Sequence, residues 1–508
     1  MDPETSFDQV ANVGIKDGKI AVITKEGLKG KETIDAKGMV VAPGFIDGQQ
    51  HELEPYAHRL MIRDGRTTIM DLEAGSPPHK VDDWYKKMEG KSIINFGVCA
   101  GHEFARAAVL DGFDDWKSLN THDFLLTRKG SQWSVARPTL EQGNEILAML
   151  DEGLRQGAIG IGSTLGYMKD GISSREMYEV QKLAGAYGRQ TGIHFRFTPG
   201  TDVEEVMGIQ EMLANAAALG APAIAQHFNN PGYNMVHELL VGMRKRGYNV
   251  WGELYPYAAG STTINAVFLK PEAWIHKLGN KYEDTMQDTI TGEFYTEETY
   301  KEMVEKEPTR LVIVYKMPKE AIVDWIRLPG VAIASDGIPM IPNDNLKWDT
   351  PYEELPNTHP RTVGSYAKTL RLARENNIPL MQVIAMTSYN WAKPLGDTGL
   401  KAMQVRGRMQ EGMVADIVMF DPKTVTDNAT YEKGTLPSTG IPHAIVNGII
   451  VMKDSVPLER FEAGQPIRFE VQEKGRFTPL SKEIWEEKYY VTPSGFDHYG
   501  SDSLRSDQ

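Results

Sequence analysis

An α/β chain folded as a (β/α)8 TIM barrel, with a small β-domain built from both chain termini, is predicted by three features of these 508 residues. Apolar strand-like runs alternate with amphipathic helical patterns over ~350 residues, the mark of parallel α/β architecture. About eight strands fit in that length, as such a barrel requires. The two ends of the chain instead carry short strands joined by Gly turns.

The N-terminal texture is "NVGIKDGKIAVI" followed by "KETIDAKGMVVAP", with Asp17-Gly18 as a hairpin signal between alternating apolar residues. It returns near the other end as "GMVADIVMFDP" and "GIPHAIVNGIIVMKD", again around an Asn-Gly turn. Residues 1–43 and 401–460 are therefore assigned to the small β-domain. Between them, "VAPGFID" is followed by "GRTTIMDLEAG", "INFGVCAGH", "GAIGIGSTLG", "TGIHFRF", "APAIAQHFNN", "NVWGELYPY" and "GVAIASDG". Helical patterns such as "EQGNEILAMLDEGLRQ", "SREMYEVQKLAGAYGRQ", "VEEVMGIQEMLANAAALG" and "NMVHELLVGMRKRG" separate most of them. These define the barrel, residues 44–400. The charged, aromatic stretch at about 268–310 interrupts the alternation and reads as a helical insertion. Residues 461–508 read as a polar C-terminal extension, with a helix at "SKEIWEEKYY" and a disordered end. An open doubly wound sheet is the competing architecture. A lone dinucleotide-binding unit is disfavoured, because no GxGxxG follows the first strand.

Composition narrows the function. Formal net charge is −14, which argues against nucleic acid or an anionic membrane as partner. No apolar run reaches the ~18 residues of a membrane span. The opening "MDPETSFDQV" lacks the basic and apolar regions of a signal peptide. Cys99 is the one cysteine, so no internal disulfide and no Cys-rich zinc module can form. Any metal must be held by His, Asp and Glu.

In a barrel of this kind the reacting groups sit at the C-terminal ends of the strands. The polar residues that close the apolar runs are Gln49 and His51, Glu73, His102 and Glu103, His194, His227, Tyr255 and Tyr257, and Asp336. Two His, a Glu and an Asp from separate strands can converge on a divalent metal, and imidazole with carboxylate suits zinc. Taken singly, each is more often a hydrogen-bonded structural group, and Cys99 in its apolar run reads as an inert core residue.

"VAPGFID" with a His close behind resembles the first-strand signature of the amidohydrolase superfamily. Inside the chain, "GAIGIGSTLGY", "GIHFRF", "AQHF", "ELYPYAAGST", "ASDGIP", "HPRTVGSYAKTLR" and "MTSYNWAKPLG" occur in the order seen in N-acyl-D-amino-acid deacylases, or D-aminoacylases. The resemblance covers roughly residues 10–455. It implies a barrel with a small flanking β-domain and zinc-dependent hydrolysis of amides. His194 and His227 match the family's metal-binding His on the fifth and sixth strands. Asp336 matches its catalytic Asp on the eighth. Glu73 lies where the family places a metal-ligating Cys. Tyr255, Ser261 and Arg361 match positions that hold the substrate carboxylate or the reacting carbonyl.

Three departures accompany the match. Gln49-Gln50-His51 stands where the superfamily carries His-x-His, and a neutral amide is a poor zinc ligand beside imidazole. One zinc is therefore expected, with His51 a further candidate ligand and Gln49 a substrate-reading residue. Asn229 replaces a Lys two residues after the sixth-strand His, which removes a cation beside the substrate while keeping the position on the substrate-binding list. Met1 matches a point after the family's opening strand, so an upstream segment is expected to be missing. Localisation is cytoplasmic as the chain stands, and periplasmic or secreted if an export segment has been removed.

The expected reaction is attack of a zinc-activated water on the amide of an N-acyl amino acid, the D-series first, with Asp336 as general base and then acid. The expected partner is a small amide bearing a carboxylate, and a homo-oligomer stays open. Two alternatives remain at this point: hydrolysis of a cyclic amide or imide, and a catalytically inactive ligand-binding homologue.

Overall fold

The computed structural model describes residues 1–198, 208–341 and 345–484. Eight parallel strands in sequential order form its central sheet. They are β1 (Phe45–Asp47), β2 (Arg66–Ser76), β3 (Asn95–Gly101), β4 (Gly160–Ser163), β5 (Gln190–Ile193), β6 (Ala223–Ala225), β7 (Val250–Leu254) and β8 (Ala332–Ile333). Helices follow most of them, including Leu140–Arg155 after β3, Ser174–Ala186 after β4, Tyr233–Lys245 after β6 and Arg361–Glu375 after β8. The first of these starts at a capping box made by Thr139 and Gln142, which satisfies two otherwise orphaned N–H groups.

Side chains complete the ring between β8 and β1. Ser335 Oγ donates to Asp47 Oδ2 at 2.5 Å, and the Ser335 N–H donates to Asp47 Oδ1 at 3.1 Å. Tyr366 Oη lies 2.7 Å from the Ile46 carbonyl and 2.9 Å from that of Ile333, and so spans the two strands. Arg66 Nη1 donates to Asp47 Oδ2 at 3.0 Å. Neighbouring residues of one strand serve different layers, as the two-residue period of a strand requires. Ile69 joins the large cluster that packs the helices. Met70 and Leu72 join a second cluster with Ile46, Ile224, Trp251 and Trp391.

The strands read at the two chain ends do meet. Val40–Pro43 pairs antiparallel with Ile417–Phe420, which continues into His443–Val446, Ile449–Lys453 and Val456–Pro457. Asn12–Lys16 and Lys19–Thr24 form a separate hairpin whose Ile20 packs with Met409, Ala415 and Ile417. Both turns read from sequence adopt left-handed backbone, at Asp17-Gly18 (φ 52° and 75°) and Asn447-Gly448 (φ 50° and 79°), the geometry that twists with the strands.

Two regions go beyond the sequence reading. The segment read as a helical insertion does hold helices, including Glu297–Lys306, but it also gives the strand Met286–Asp288 to a small sheet. Ala259–Thr263, Leu311–Tyr315 and Met286–Asp288 pair antiparallel, and Trp274, Tyr282, Tyr300 and Val312 fill its own core. Short β-branched runs beside charged helices hid that sheet from a periodicity argument. The first part of the C-terminal extension, where the sequence carries few signals, docks on the barrel. Ile467 is buried, its N–H donates to the Phe96 carbonyl, and its carbonyl accepts from Tyr85 Oη at 2.7 Å. Most of the helix expected at "SKEIWEEKYY" and all of the end expected to be disordered lie outside the described residues. No helix among the described residues is long and apolar enough to cross a membrane.

Candidate active site

Five of the strand-end residues singled out in the sequence meet at one mouth of the barrel. Glu73 lies within β2, His194 directly follows β5, His227 is two residues beyond β6, His51 is four beyond β1 and Asp336 three beyond β8. All five line one cavity that opens to solvent. His227 and Asp336 hold left-handed backbone, at φ 28° and 49°, unusual for non-glycine residues and concentrated where side chains must turn into a site. The His227 turn is fixed from below: its N–H donates to Glu253 Oε1, and its carbonyl accepts from Asn230 Nδ2 at 3.0 Å.

Glu73 Oε1 sits 2.8 Å from His194 Nδ1 and 3.4 Å from His227 Nε2, and the two imidazole nitrogens are 2.9 Å apart. Ligands at ~2.0 Å on a tetrahedral zinc lie about 3.3 Å from one another, so the trio is near the spacing one ion needs. Protonation agrees. Burial alone would raise the Glu73 pKa, but His227, His194 and His51 outweigh it and hold the carboxyl well below its usual range. Burial and then His227 lower His194 to about 4, which leaves it a neutral imidazole with a free lone pair. Three ligand atoms within 4.8 Å of one another, one a carboxylate oxygen and two imidazole nitrogens, fit a divalent cation.

His51 stands beside this trio. Its Nδ1 is 2.9 Å from Asp71 Oδ2, and its Nε2 lies 3.3 Å from Asp336 Oδ1 and 3.5 Å from Glu73 Oε2. Burial would lower the His51 pKa, but Asp71, Asp336 and Glu73 raise it well above the ordinary imidazole value. Thr121 Oγ1 donates to the same Asp71 oxygen at 2.7 Å. With Glu73 and Asp336, His51 forms a second group of donor atoms spaced for a metal.

Asp336 points its other oxygen at Arg361, 2.8 Å from Nη1. The Arg361 guanidinium lies 4.6 Å over the Tyr255 ring. Both residues line the cavity with Ser261, whose Oγ donates to the Val312 carbonyl at 2.8 Å. The remaining wall is largely apolar, with Phe124, Leu125, Phe268, Leu311, Val314 and Ile338.

Two residues expected to touch substrate do not reach the cavity. Gln49 is fully buried and its side-chain Nε2 donates to Glu73 Oε2, so it braces a metal-ligand candidate. Asn229 is also fully buried, and its Nδ2 donates to the Tyr255 carbonyl at 3.2 Å. Of the other strand-end residues, His102 bonds Ser163 and Glu176, Glu103 pairs with Arg128 at 2.7 Å, and Tyr257 donates to the Pro360 carbonyl. Cys99 is buried, as its apolar run implied.

Sequence reading missed three residues. Asp71 orients His51 and lies two positions before Glu73, on the same face of β2, a period-two signal that was present. Glu253 supports His227, and burial raises its pKa well above the ordinary carboxyl value. Lys316 lines the cavity just past the Leu311–Tyr315 strand, a stretch for which the sequence reading named no strand.

Donors set at the strand ends of a closed parallel barrel, with an aspartate beside them, are the equipment of metal-assisted hydrolysis, and the class so defined is a metal-dependent amidohydrolase. No protein-family model matches the chain. It is 27% identical to a D-aminoacylase of Alcaligenes xylosoxydans xylosoxydans, over 87% of this chain and 91% of that protein. It is 24% identical to an N-acyl-D-glutamate deacylase of the same organism, over 89% and 91%. The crystal structure of N-acyl-D-glutamate deacylase from Bordetella bronchiseptica, complexed with zinc and a phosphonate inhibitor, superposes with a TM-score of 0.73 at 23% identity, covering 92% of this chain and 97% of that one. The chain is thus similar, over most of its length, to a D-aminoacylase and an N-acyl-D-glutamate deacylase.

Proposed function

We propose that the protein hydrolyses the amide bond of N-acyl amino acids, N-acyl-D-amino acids first, with one zinc held by Glu73, His194 and His227. The observation that carries this reading is the placing of that trio and Asp336 in one cavity with Arg361. The deacylase names of the relatives point to the same substrate class.

When bound, zinc supplies Lewis acidity, which brings the pKa of a water in the site to about 7 and polarises the scissile carbonyl. Asp336 accepts a proton from the attacking water as the carbon–oxygen bond forms, then returns it to the nitrogen as the carbon–nitrogen bond breaks. The products are a carboxylic acid and an amine. His51, charged and 3.3 Å from Asp336 Oδ1, keeps that carboxylate aimed at the water. Arg361 is fixed over Tyr255 and presents its planar fork to the substrate carboxylate. The apolar wall excludes water and receives an apolar side chain or acyl group.

The test is amine release by zinc-loaded protein from N-acetyl-D-amino acids, their L-isomers and a cyclic hydantoin. Release from the D-series is the expected result. Opening of the hydantoin with no release from linear amides would overturn the linear-amide reading, and no turnover across the panel would overturn hydrolysis altogether.

A further inference from the structure

Among the described residues, two arginines and a lysine line the cavity: Arg128, Arg361 and Lys316. Arg128 is paired with Glu103 and Arg361 with Asp336. Lys316 makes no ion pair among the described residues. Its Nζ donates to a neutral amide oxygen, Asn230 Oδ1, at 3.1 Å. Asn230 in turn donates to the His227 carbonyl, so the ammonium is tied to the turn that carries a metal-ligand candidate. Lys316 directly follows the Leu311–Tyr315 strand, which pairs antiparallel with Ala259–Thr263; Gly260, paired with Val314, lies beside the Lys316 side chain.

Gly260 leaves a defined space. A Cβ built there would lie 3.5 Å from Tyr255 Oη, 3.6 Å from Lys316 Cε and 3.9 Å from Arg361 Nη1. A hydroxyl, the last methylene of the Lys316 stem and a guanidinium therefore border one small volume, floored by a residue without a side chain. A half-buried ammonium with a neutral partner gains from an anion, and an ammonium with a guanidinium and a phenol matches the several lone pairs of a carboxylate.

The geometry points to Lys316 as the residue that recognises the substrate carboxylate, which it grips together with Arg361 and Tyr255 over Gly260. It supplies, from the inserted sheet, the cation that position 229 does not offer. This rests on the hydrolase reading for the substrate's identity, but the site itself is a carboxylate site whatever amide is cleaved. Burial, only partly offset by Asp336 and reinforced by Arg361, lowers the Lys316 pKa to about 8, and a bound carboxylate would relieve that penalty.

The test is calorimetric titration of zinc-loaded protein with 4-methylpentanoate and with 4-methylpentanamide, an acid and an amide on one carbon skeleton. Wild type should bind the acid at least about tenfold more tightly, as a charge-assisted contact implies. Lys316→Met should weaken the acid about 10- to 100-fold and leave the amide unchanged, while Lys316→Arg restores the preference. Gly260→Ala adds a methyl at ordinary contact distance, so it should keep the melting temperature and still weaken the acid. Three results would overturn the assignment: wild type binding both ligands alike, Lys316→Met binding the acid as wild type does, or Lys316→Met losing acid and amide together. None depends on turnover, so failure of the hydrolase reading shows separately, as absence of amine release.

Discussion

Gln49 donates its side-chain N–H to Glu73 Oε2 while Glu73 Oε1 faces the imidazoles of His194 and His227. One carboxylate is thus held from behind by an amide and presents its other oxygen to the proposed ion. Groups that brace a ligand in this way commonly tune metal affinity by 10- to 100-fold. Gln49→Leu removes the brace and keeps the volume. Zinc affinity, measured by chelator competition, should fall about 10- to 100-fold, with the fold intact by circular dichroism. An unchanged affinity would show that Glu73 does not need Gln49, or does not bind the ion.

The ligand trio makes a direct demand on metal content. His194→Ala removes one of three protein donors and should lower zinc from about one ion per chain to roughly a tenth after dialysis. Elemental analysis decides it. Full zinc in this variant would place the ion elsewhere, with the second donor group of His51, Glu73 and Asp336 the natural candidate.

Lys316 gives the enzyme an alkaline signature. The charged form is the one that grips a carboxylate, and burial brings its pKa down to about 8; the charges that face it are Asp336, which raises the value, and Arg361, which lowers it. As pH rises through about 8 the ammonium is lost, so kcat/KM for an N-acetyl-D-amino acid should fall. Lys316→Arg, charged at all these pH values, should move that fall to higher pH. The C-terminal amide of the same substrate should show no such limb. A wild-type profile that is the same for acid and amide would contradict the assignment.

Tyr366 joins the first and last barrel strands by donating toward two backbone carbonyls, those of Ile46 and Ile333. Tyr366→Phe leaves both short of a donor in a fully buried place. A loss of about 1–3 kcal/mol in denaturant stability should follow. Because β1 leads to His51 and β8 to Asp336, turnover should fall with it. A variant as stable as wild type would show that Asp47 and Ser335 close the barrel alone.

Much of this was legible in the sequence, for physical reasons. Buried parallel strands are continuous apolar runs, and the barrel sends their closing residues to one mouth, so Glu73, His194, His227 and Asp336 could be named without coordinates. The Asp17-Gly18 and Asn447-Gly448 turns announced the terminal strands because few other residues accept left-handed backbone. Gln49 and Asn229 misled because a position along a strand does not reveal whether a long side chain turns to the cavity or into the wall. Lys316 was hidden because it comes from an antiparallel sheet outside the barrel, where the strand-end rule has no force. Glu253 carried no signal, since nothing in an apolar strand marks which carboxyl will lie beneath a histidine turn.

The central claim is that Asp336 moves the proton beside an ion held by Glu73, His194 and His227. Asp336→Asn keeps shape and hydrogen-bonding reach and removes the base. Zinc content and amine release from one N-acetyl-D-amino acid, measured on the same preparation, test it most directly. Zinc should stay at about one ion per chain while kcat falls at least 100-fold. A variant that retains both zinc and near-normal kcat would contradict it.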